Sequence, residues 1–360
     1  MTEFILCRVR DFAALGQRWR ELEARSDCSF FQSWTWMGCL AERRFDNPVL
    51  LEARQAGETV AMALFNRRRW PRDSLFLGES GSKVLDTPYV EHNGPLVARG
   101  AESVVPGLLD AARRGAAGRW RPILPRRIVL SGVGDSVLAA ACGVGSVILK
   151  RSNAAPFVDL DRVLSEGGDY LDGVSSNTRY QLRRSERAYA ADGKLELRRA
   201  ADVYEAHRLL DEMAVLHQRT WQARGQAGAF AVPFFTEFHR AVIARGLPRG
   251  EIDLLQLAAG GRVIGILYNF RYAGRALAYQ SGFNYADADR HCKPGLTTHH
   301  QAIRFYLREG IHSYDFLGGE DRYKRSLARE EAQLHWLEVG TARSLLARWK
   351  ERAHTKRLKE

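Results

Sequence analysis

The sequence predicts an α+β protein of two related domains, and three observations carry that expectation. Three apolar, β-prone runs at 253–257, 263–270 and 275–283 are separated by Gly260-Gly261 and Ala273-Gly274, so they read as consecutive hairpins. Residues 291–325 then read as loop, helix, strand and loop in quick succession. Finally, 49–67 can be laid without a gap on 253–271, hairpin on hairpin with glycine at each turn. Each hairpin follows an aromatic-rich helical region, Phe30-Phe-Gln-Ser-Trp-Thr-Trp-Met in the first half and Leu216-His-Gln-Arg-Thr-Trp in the second.

The remaining elements follow in order. After the first hairpin come Leu75-Phe-Leu-Gly-Glu-Ser-Gly-Ser and Leu85-Asp-Thr-Pro-Tyr, with no equivalent of the later Pro-Gly-Leu-Thr-Thr turn. An apolar run ends in Lys150-Arg-Ser-Asn-Ala-Ala-Pro, which places the boundary between domains 1–155 and 156–340. Ser175-Ser-Asn starts a helix on which Arg179 and Arg183 share a face. Another long amphipathic helix carries His217 one turn before Trp221. In the 291–325 block, Pro294-Gly295 marks the turn and Thr297 or Thr298 is the expected N-cap. Ala302, Ile303, Tyr306 and Leu307 form the apolar face, and Gly310 stops the helix. A strand starts at Tyr314, Phe316 and Leu317 and ends in Gly318-Gly319. Residues 341–360 are expected to form a basic helix with Leu345, Leu346, Trp349 and Ala353 on one side.

Composition bounds the function. A chain of 360 residues with 45% apolar content has room for two cores. Its five cysteines are odd in number and lack C-x-x-C spacing, which argues against a disulfide framework or zinc ribbon and for a reducing cytoplasm. The N-terminus has no basic segment followed by an apolar one, and the most apolar window, 137–149, is too short to span a bilayer. A soluble, cytoplasmic chain is expected. The formal net charge of +12 calls for an anionic partner such as nucleic acid, anionic lipid or a polyanionic co-substrate. His291, Cys292, His299 and His300 invite a metal, but adjacent histidines on a helix point about 100° apart, so no metal site is expected. There is no P-loop, G-x-S-x-G elbow or Rossmann G-x-G-x-x-G, which excludes those routes to nucleotide hydrolysis, serine hydrolysis and hydride transfer.

Ser281-Gly-Phe-Asn, the Lys293-Pro-Gly-Leu turn, and Tyr314-Asp-Phe-Leu-Gly-Gly followed by Tyr323-Lys324 occur in an order that resembles the FemABX-related branch of GNAT acyltransferases. In particular, it resembles acetyltransferases of bacterial cellulose and exopolysaccharide synthesis. It implies tandem GNAT-like domains, each a mostly antiparallel mixed sheet flanked by helices. The first would be degenerate, lacking a cofactor turn and walling the acceptor cleft. The resemblance also implies acyl-CoA as co-substrate, with no permanently bound cofactor. Backbone would grip it along Leu277, Tyr279, Ser281 and Phe283, and at Lys293, Gly295, Leu296, Thr297 and Thr298. The usual pyrophosphate pattern is incomplete: Gly295 is the only glycine of the turn, and Arg290 stands five residues before it. Fem peptidyltransferases on this scaffold take an aminoacyl group from tRNA, the alternative donor.

Acyl transfer from a thioester needs a neutral nucleophile, donors for the developing oxyanion and a proton for the departing thiolate. His217 is the first candidate base, because imidazole titrates near working pH. Asp315, at a strand end, and Glu320, in the Gly-Gly loop, are alternatives, with Glu320 also a candidate acceptor contact. A Tyr-Lys pair recurs at this place in the resembling family, which gives Tyr323 the thiolate proton and Lys324 a cofactor phosphate or acidic acceptor. Arg179 and Arg183 would bind phosphate or carboxylate on the substrate, beside Trp221. The expected activity is N-acyl transfer, with O-acyl transfer second. The acceptor is an amino lipid or sphingoid-like base, or an amino sugar or polysaccharide precursor. The basic tail would hold the protein at the inner face of the cytoplasmic membrane, and nucleic acid is a partner only in the tRNA-dependent alternative. A non-catalytic scaffold binding an anionic ligand or partner protein is the remaining alternative.

Overall fold

The computed structural model describes residues 1–115, 125–286, 291–319 and 321–340. Arg290, Glu320 and the basic tail at 341–360 lie outside them. The chain divides into two compact units, Met1–Ser152 with Gln333–Glu360, and Asn153–Ala332. The first contains β1 (Thr2–Arg8), α1 (Phe12–Glu23), α2 (Trp34–Arg44), β2 (Pro48–Gln55), β3 (Glu58–Arg68), β4 (Ser74–Leu77), β5 (Leu96–Val97), α3 (Val105–Arg114), β6 (Arg127–Val133) and α4 (Asp135–Val144). The chain continues through β7 (Ser146–Asp159), whose end belongs to the second unit. There follow α5 (Leu160–Ser165), α6 (Ser176–Ala190), β8 (Leu195–Arg199), α7 (Val203–Ala223), α8 (Pro233–Gly246), β9 (Ile252–Ala259), β10 (Arg262–Tyr272), β11 (Arg275–Phe283), α9 (Pro294–Arg308), β12 (Ser313–Asp315) and α10 (Arg322–Leu327). Last comes β13 (Glu330–Gly340), which pairs antiparallel with β6.

Each unit is a mixed, mostly antiparallel sheet with helices packed on it. The strand order is β1-β2-β3-β4-β6-β13 in the first and β7-β12-β11-β10-β9-β8 in the second. Parallel pairing joins β4 to β6 and β11 to β12. Val49, Leu51 and Phe65 pack under Leu108 and Leu109 of α3, while Leu255, Leu267 and Ala276 pack under Ala302, Ile303 and Tyr306 of α9. The hairpins correspond in register as in sequence, since Leu50 faces Leu64 and Leu254 faces Tyr268.

Four sequence expectations change in detail. Residues 150–156, where the boundary is expected, are the middle of β7, and the division between the units falls inside that strand. Residues 333–340 complete the first sheet rather than the second. Helix α9 starts at Pro294 with Lys293 as its cap, so Thr297 and Thr298 lie inside it, as the fixed φ of proline allows at a first helical position. Strand β12 ends at Asp315, because Leu317 turns left-handed at φ 59°. Among the described residues, no helix is long and apolar enough to cross a membrane.

The units differ where their parallel strands part. In the first, β6 continues past the end of β4, and Asn93 occupies the gap. Its N–H donates to Gly132 O at 2.9 Å, and its Nδ2 donates to Leu77 O at 3.0 Å and Ser131 O at 3.1 Å. Beside this plug, Ser131 Oγ donates to Glu79 at 2.7 Å. Burial, reinforced by Asp86, pushes the Glu79 carboxyl from 4.5 up to about 7. An acid raised on folding favours the folded state below its unfolded value and loses that advantage as pH climbs through 7. Glu79→Gln is therefore expected to melt higher than wild type at pH 8, by on the order of 2 kcal/mol, and to match it near pH 4. Parallel melting curves for the two proteins across that range would contradict this.

Candidate active site

The second unit keeps its gap open on the β11 side. Strands β11 and β12 pair only from Arg275 opposite Ser313 to Leu277 opposite Asp315, and β11 then runs on to Phe283. Tyr279 is an extra residue in that strand, since Asn269 pairs with Ala278 and Tyr268 with Gln280. Such a bulge shifts the alternation by one, so Ala276 and Ala278 before it share a face with Ser281 and Phe283 after it.

Helix α7 brings a base to this edge. Asp202 caps the helix by accepting from Glu205 N at 2.8 Å, and Gly282 lets it lie close on β11. A Cβ at Gly282 would stand 2.5 Å from Met213 O. His217 is thereby placed with Nδ1 3.1 Å from Ser281 O. A carbonyl only accepts, so Nδ1 carries the hydrogen and Nε2 presents its lone pair with no partner among the described residues. Trp221 and Phe230 flank the ring at 5.6 and 5.2 Å. Burial lowers the imidazole below its usual 6.5, opposed by the Ser281 bond, so the ring is neutral at pH 7.

The start of α9 forms the second side. Lys293 N donates to Ser185 Oγ at 2.8 Å, and the same hydroxyl bonds Thr297 Oγ1 at 2.8 Å, which ties the turn to α6. Gly295 is buried beneath Phe283 and Tyr285, where a Cβ would meet ring atoms at 3.3 Å and the Tyr285 hydroxyl at 3.4 Å. The first-turn amides of Gly295 and Leu296 sit at the positive end of the helix, an environment suited to phosphate.

Residues 315–319 and 321–324 form the third side. Asp315 Oδ1 accepts from Leu317 N at 2.7 Å, and Lys324 Nζ donates to Leu317 O at 3.3 Å and Gly318 O at 2.8 Å. Tyr323 stacks on His299 with centroids 5.5 Å apart. Its phenol is pushed up, first by burial and then by Asp321 and Tyr285, so it keeps its proton. Arg224 acts electrostatically on Tyr323 and Tyr285, and lies 5.9 Å from the Trp221 ring centroid.

His217, Trp221, Ser281, Phe283, Gly295, Leu296 and Tyr323 thus belong to one connected set, with Lys293 exposed at its border. Other expected contacts are placed differently. Leu277 and Tyr279 have buried side chains, Tyr279 among Phe235, His239, Tyr268 and Phe270, so any contact they make with a cofactor is through backbone. Thr297 and Thr298 have their hydroxyls bonded inward, to Ser185 and to Pro294 O. Lys324 is buried with its ammonium on backbone carbonyls, which turns it from a phosphate ligand into a brace of the loop. Asp315 is likewise engaged in its turn. Arg179 and Arg183 line a groove along α6 with Tyr180 and Arg187, and no described contact joins them to the His217 set. Sequence reasoning missed Ser185, Arg224, Phe230, Tyr285 and His299. His299 was legible, because 299, 302, 303 and 306 lie on one helical face.

Comparison with known proteins bears on the fold. Residues 176–325 match the model of the acetyltransferase (GNAT) domain. None of the curated proteins matches the sequence. Among solved structures, FemX is similar at a TM-score of 0.64 and 10% identity, over 94% of this chain and 98% of that one. L-PGS from Bacillus licheniformis is similar at 0.55 and 10%, over 91% and 92%. The DUF2156 C-terminal domain from Agrobacterium fabrum is similar at 0.54 and 14%, over 95% and 96%. At these identities the likeness shows the fold alone. Residues 176–325 are thus similar to a GNAT acetyltransferase domain, and the chain as a whole has a fold like that of FemX.

Proposed function

We propose that this protein is an acyl-CoA-dependent N-acyltransferase acting on an amine of a cell-envelope precursor, an amino sugar or an amino lipid. The observation that carries the reading is the free Nε2 lone pair of His217 beside the unpaired stretch of β11. A free amine that attacks a thioester must shed a proton as the C–N bond forms, and a neutral imidazole in a fixed tautomer is suited to accept it. The thioester would lie along β11, its pyrophosphate at the Gly295 and Leu296 amides. Tyr323, held protonated, would supply the proton to the thiolate. The envelope acceptor, and the tie to cellulose or exopolysaccharide synthesis, follow from the sequence resemblance. An aminoacyl-tRNA donor is the competing outcome.

Binding tests this first. Acetyl-, butyryl- or palmitoyl-CoA at about 100 times its Kd should stabilise the protein by about 2.7 kcal/mol in thermal melting. Gly295→Asp, which sets a carboxylate against the first-turn amides, should abolish the shift while the unliganded protein still folds. No shift with any of the three, together with binding of aminoacyl-tRNA, would transfer the donor assignment to tRNA.

A further inference from the structure

His299 lies one turn before Ala302 and Ile303 on α9, and its ring meets Phe283 at 5.6 Å, Phe316 at 5.2 Å and Tyr323 at 5.5 Å, the residues bordering the gap between β11 and β12. It is buried, Nδ1 is 2.8 Å from Tyr314 Oη, and Nε2 has no hydrogen-bond partner among the described residues. A buried polar nitrogen left unpaired costs stability, so its retention points to a use.

The polar chain behind the ring fixes which nitrogen holds the hydrogen. Asp253, paired with Arg199 at 2.9 Å, accepts from Tyr306 Oη at 2.9 Å. Having given its hydrogen there, Tyr306 accepts from Asn269 Nδ2 at 3.2 Å. With Tyr306 and Asn269 engaged in this way, the hydrogen bond that Tyr314 Oη makes among the described residues is with His299 Nδ1 at 2.8 Å. The Tyr314 hydrogen is then directed at His299 Nδ1, which leaves the imidazole hydrogen on Nε2. Burial, with Lys324 adding to it, presses this imidazole down to about 3, so it stays neutral. His217 holds its hydrogen on Nδ1 and offers a lone pair at Nε2, and His299 does the reverse.

We propose that His299 is a second catalytic histidine, whose Nε2–H hydrogen-bonds the thioester carbonyl oxygen as that oxygen becomes anionic. The amine nitrogen bonds to the carbonyl carbon, the π pair moves onto oxygen, and His217 Nε2 takes the proton leaving nitrogen. Collapse restores the carbonyl and breaks the C–S bond, and the thiolate receives its proton from Tyr323. His299 transfers no proton. It stabilises charge that exists only near the transition state, so its loss should lower kcat rather than weaken donor binding. The inference deepens the acyltransferase reading and rests on it.

Two experiments test it. In a long-range ¹H–¹⁵N spectrum of the wild-type protein, His299 should appear as the neutral Nε2–H tautomer and His217 as the neutral Nδ1–H tautomer. Finding His299 protonated, or with its hydrogen on Nδ1, overturns the proposal whatever any variant does. For catalysis, free CoA released from acetyl-CoA with glucosamine as amine is measured for His299→Phe and His299→Gln. The phenylalanine keeps the ring without a donor and should lower kcat about 10²- to 10³-fold, with the thermal shift by acetyl-CoA unchanged. Glutamine restores an N–H and should recover part of the rate. Unchanged kcat in His299→Phe, with acetyl-CoA still bound, removes His299 alone. Failure of acetyl-CoA to stabilise the wild-type protein removes the acyltransferase reading, and this inference with it.

Discussion

His217→Ala is expected to lower turnover about 10²- to 10⁴-fold, while the thermal shift by acyl-CoA is kept. The residue holds its Nδ1 hydrogen on Ser281 O and only Nε2 is free, so alanine removes the proton acceptor without touching the α9 turn. Burial sets the imidazole below 6.5, which places the acidic limb of the wild-type pH profile below that value. Activity should rise with pH through this limb in the wild type, and the residual activity of the variant should lack it. Wild-type turnover and an unchanged limb in the variant would remove His217 from the chemistry. If Asp315→Asn alone then abolished activity, the role would pass to Asp315, although that carboxylate already accepts from Leu317 N.

Gly282→Ala is the second large effect expected, and it acts through geometry. Its new Cβ would stand 2.5 Å from Met213 O and 3.1 Å from Met213 Cα, backbone atoms that cannot rotate away. Helix α7 must therefore lift from β11, an overpacking that costs about 1 to 3 kcal/mol. His217 rides on the same helix, and a misplacement of about 1 Å can cost on the order of 10²-fold in rate. Stability and turnover should fall together. Gly261→Ala is the control: it strains a left-handed turn at φ 80° but meets nothing within 4 Å. It should cost about 1 to 2 kcal/mol and leave kcat alone. Wild-type melting and turnover in Gly282→Ala would show that close approach of α7 does not position the base.

What was legible in the sequence is what depends on periodicity and turn chemistry. The three strands 252–259, 262–272 and 275–283 and the buried face of α9 follow from apolar spacing with glycine at the turns. The likeness of the two hairpins was visible for the same reason. The boundary expected near 150–156 falls inside strand β7, because strand pairing is decided by partners distant in sequence rather than by local composition. Histidine 217 could be proposed from its place on an amphipathic helix, but its tautomer depends on a carbonyl 64 residues away. Lys324 looks like a ligand for phosphate until the fold shows its ammonium bonded to the backbone of residues 317 and 318. His299 illustrates the converse. Its helical face marked it as buried, yet the state of its two nitrogens emerges only from its contact with Tyr314 and from the lack of a partner for Nε2 among the described residues.

The most direct measurement of the central claim follows a labelled acyl group. Purified protein is incubated with ¹³C-acetyl-CoA and an extract of envelope precursors, alongside His217→Ala, and the products are resolved by mass spectrometry. The account predicts label in an amide on an amine acceptor, release of free CoA in equal amount, and loss of both with the variant. Label remaining on CoA, while an aminoacyl group from charged tRNA appears on the same extract, would contradict it.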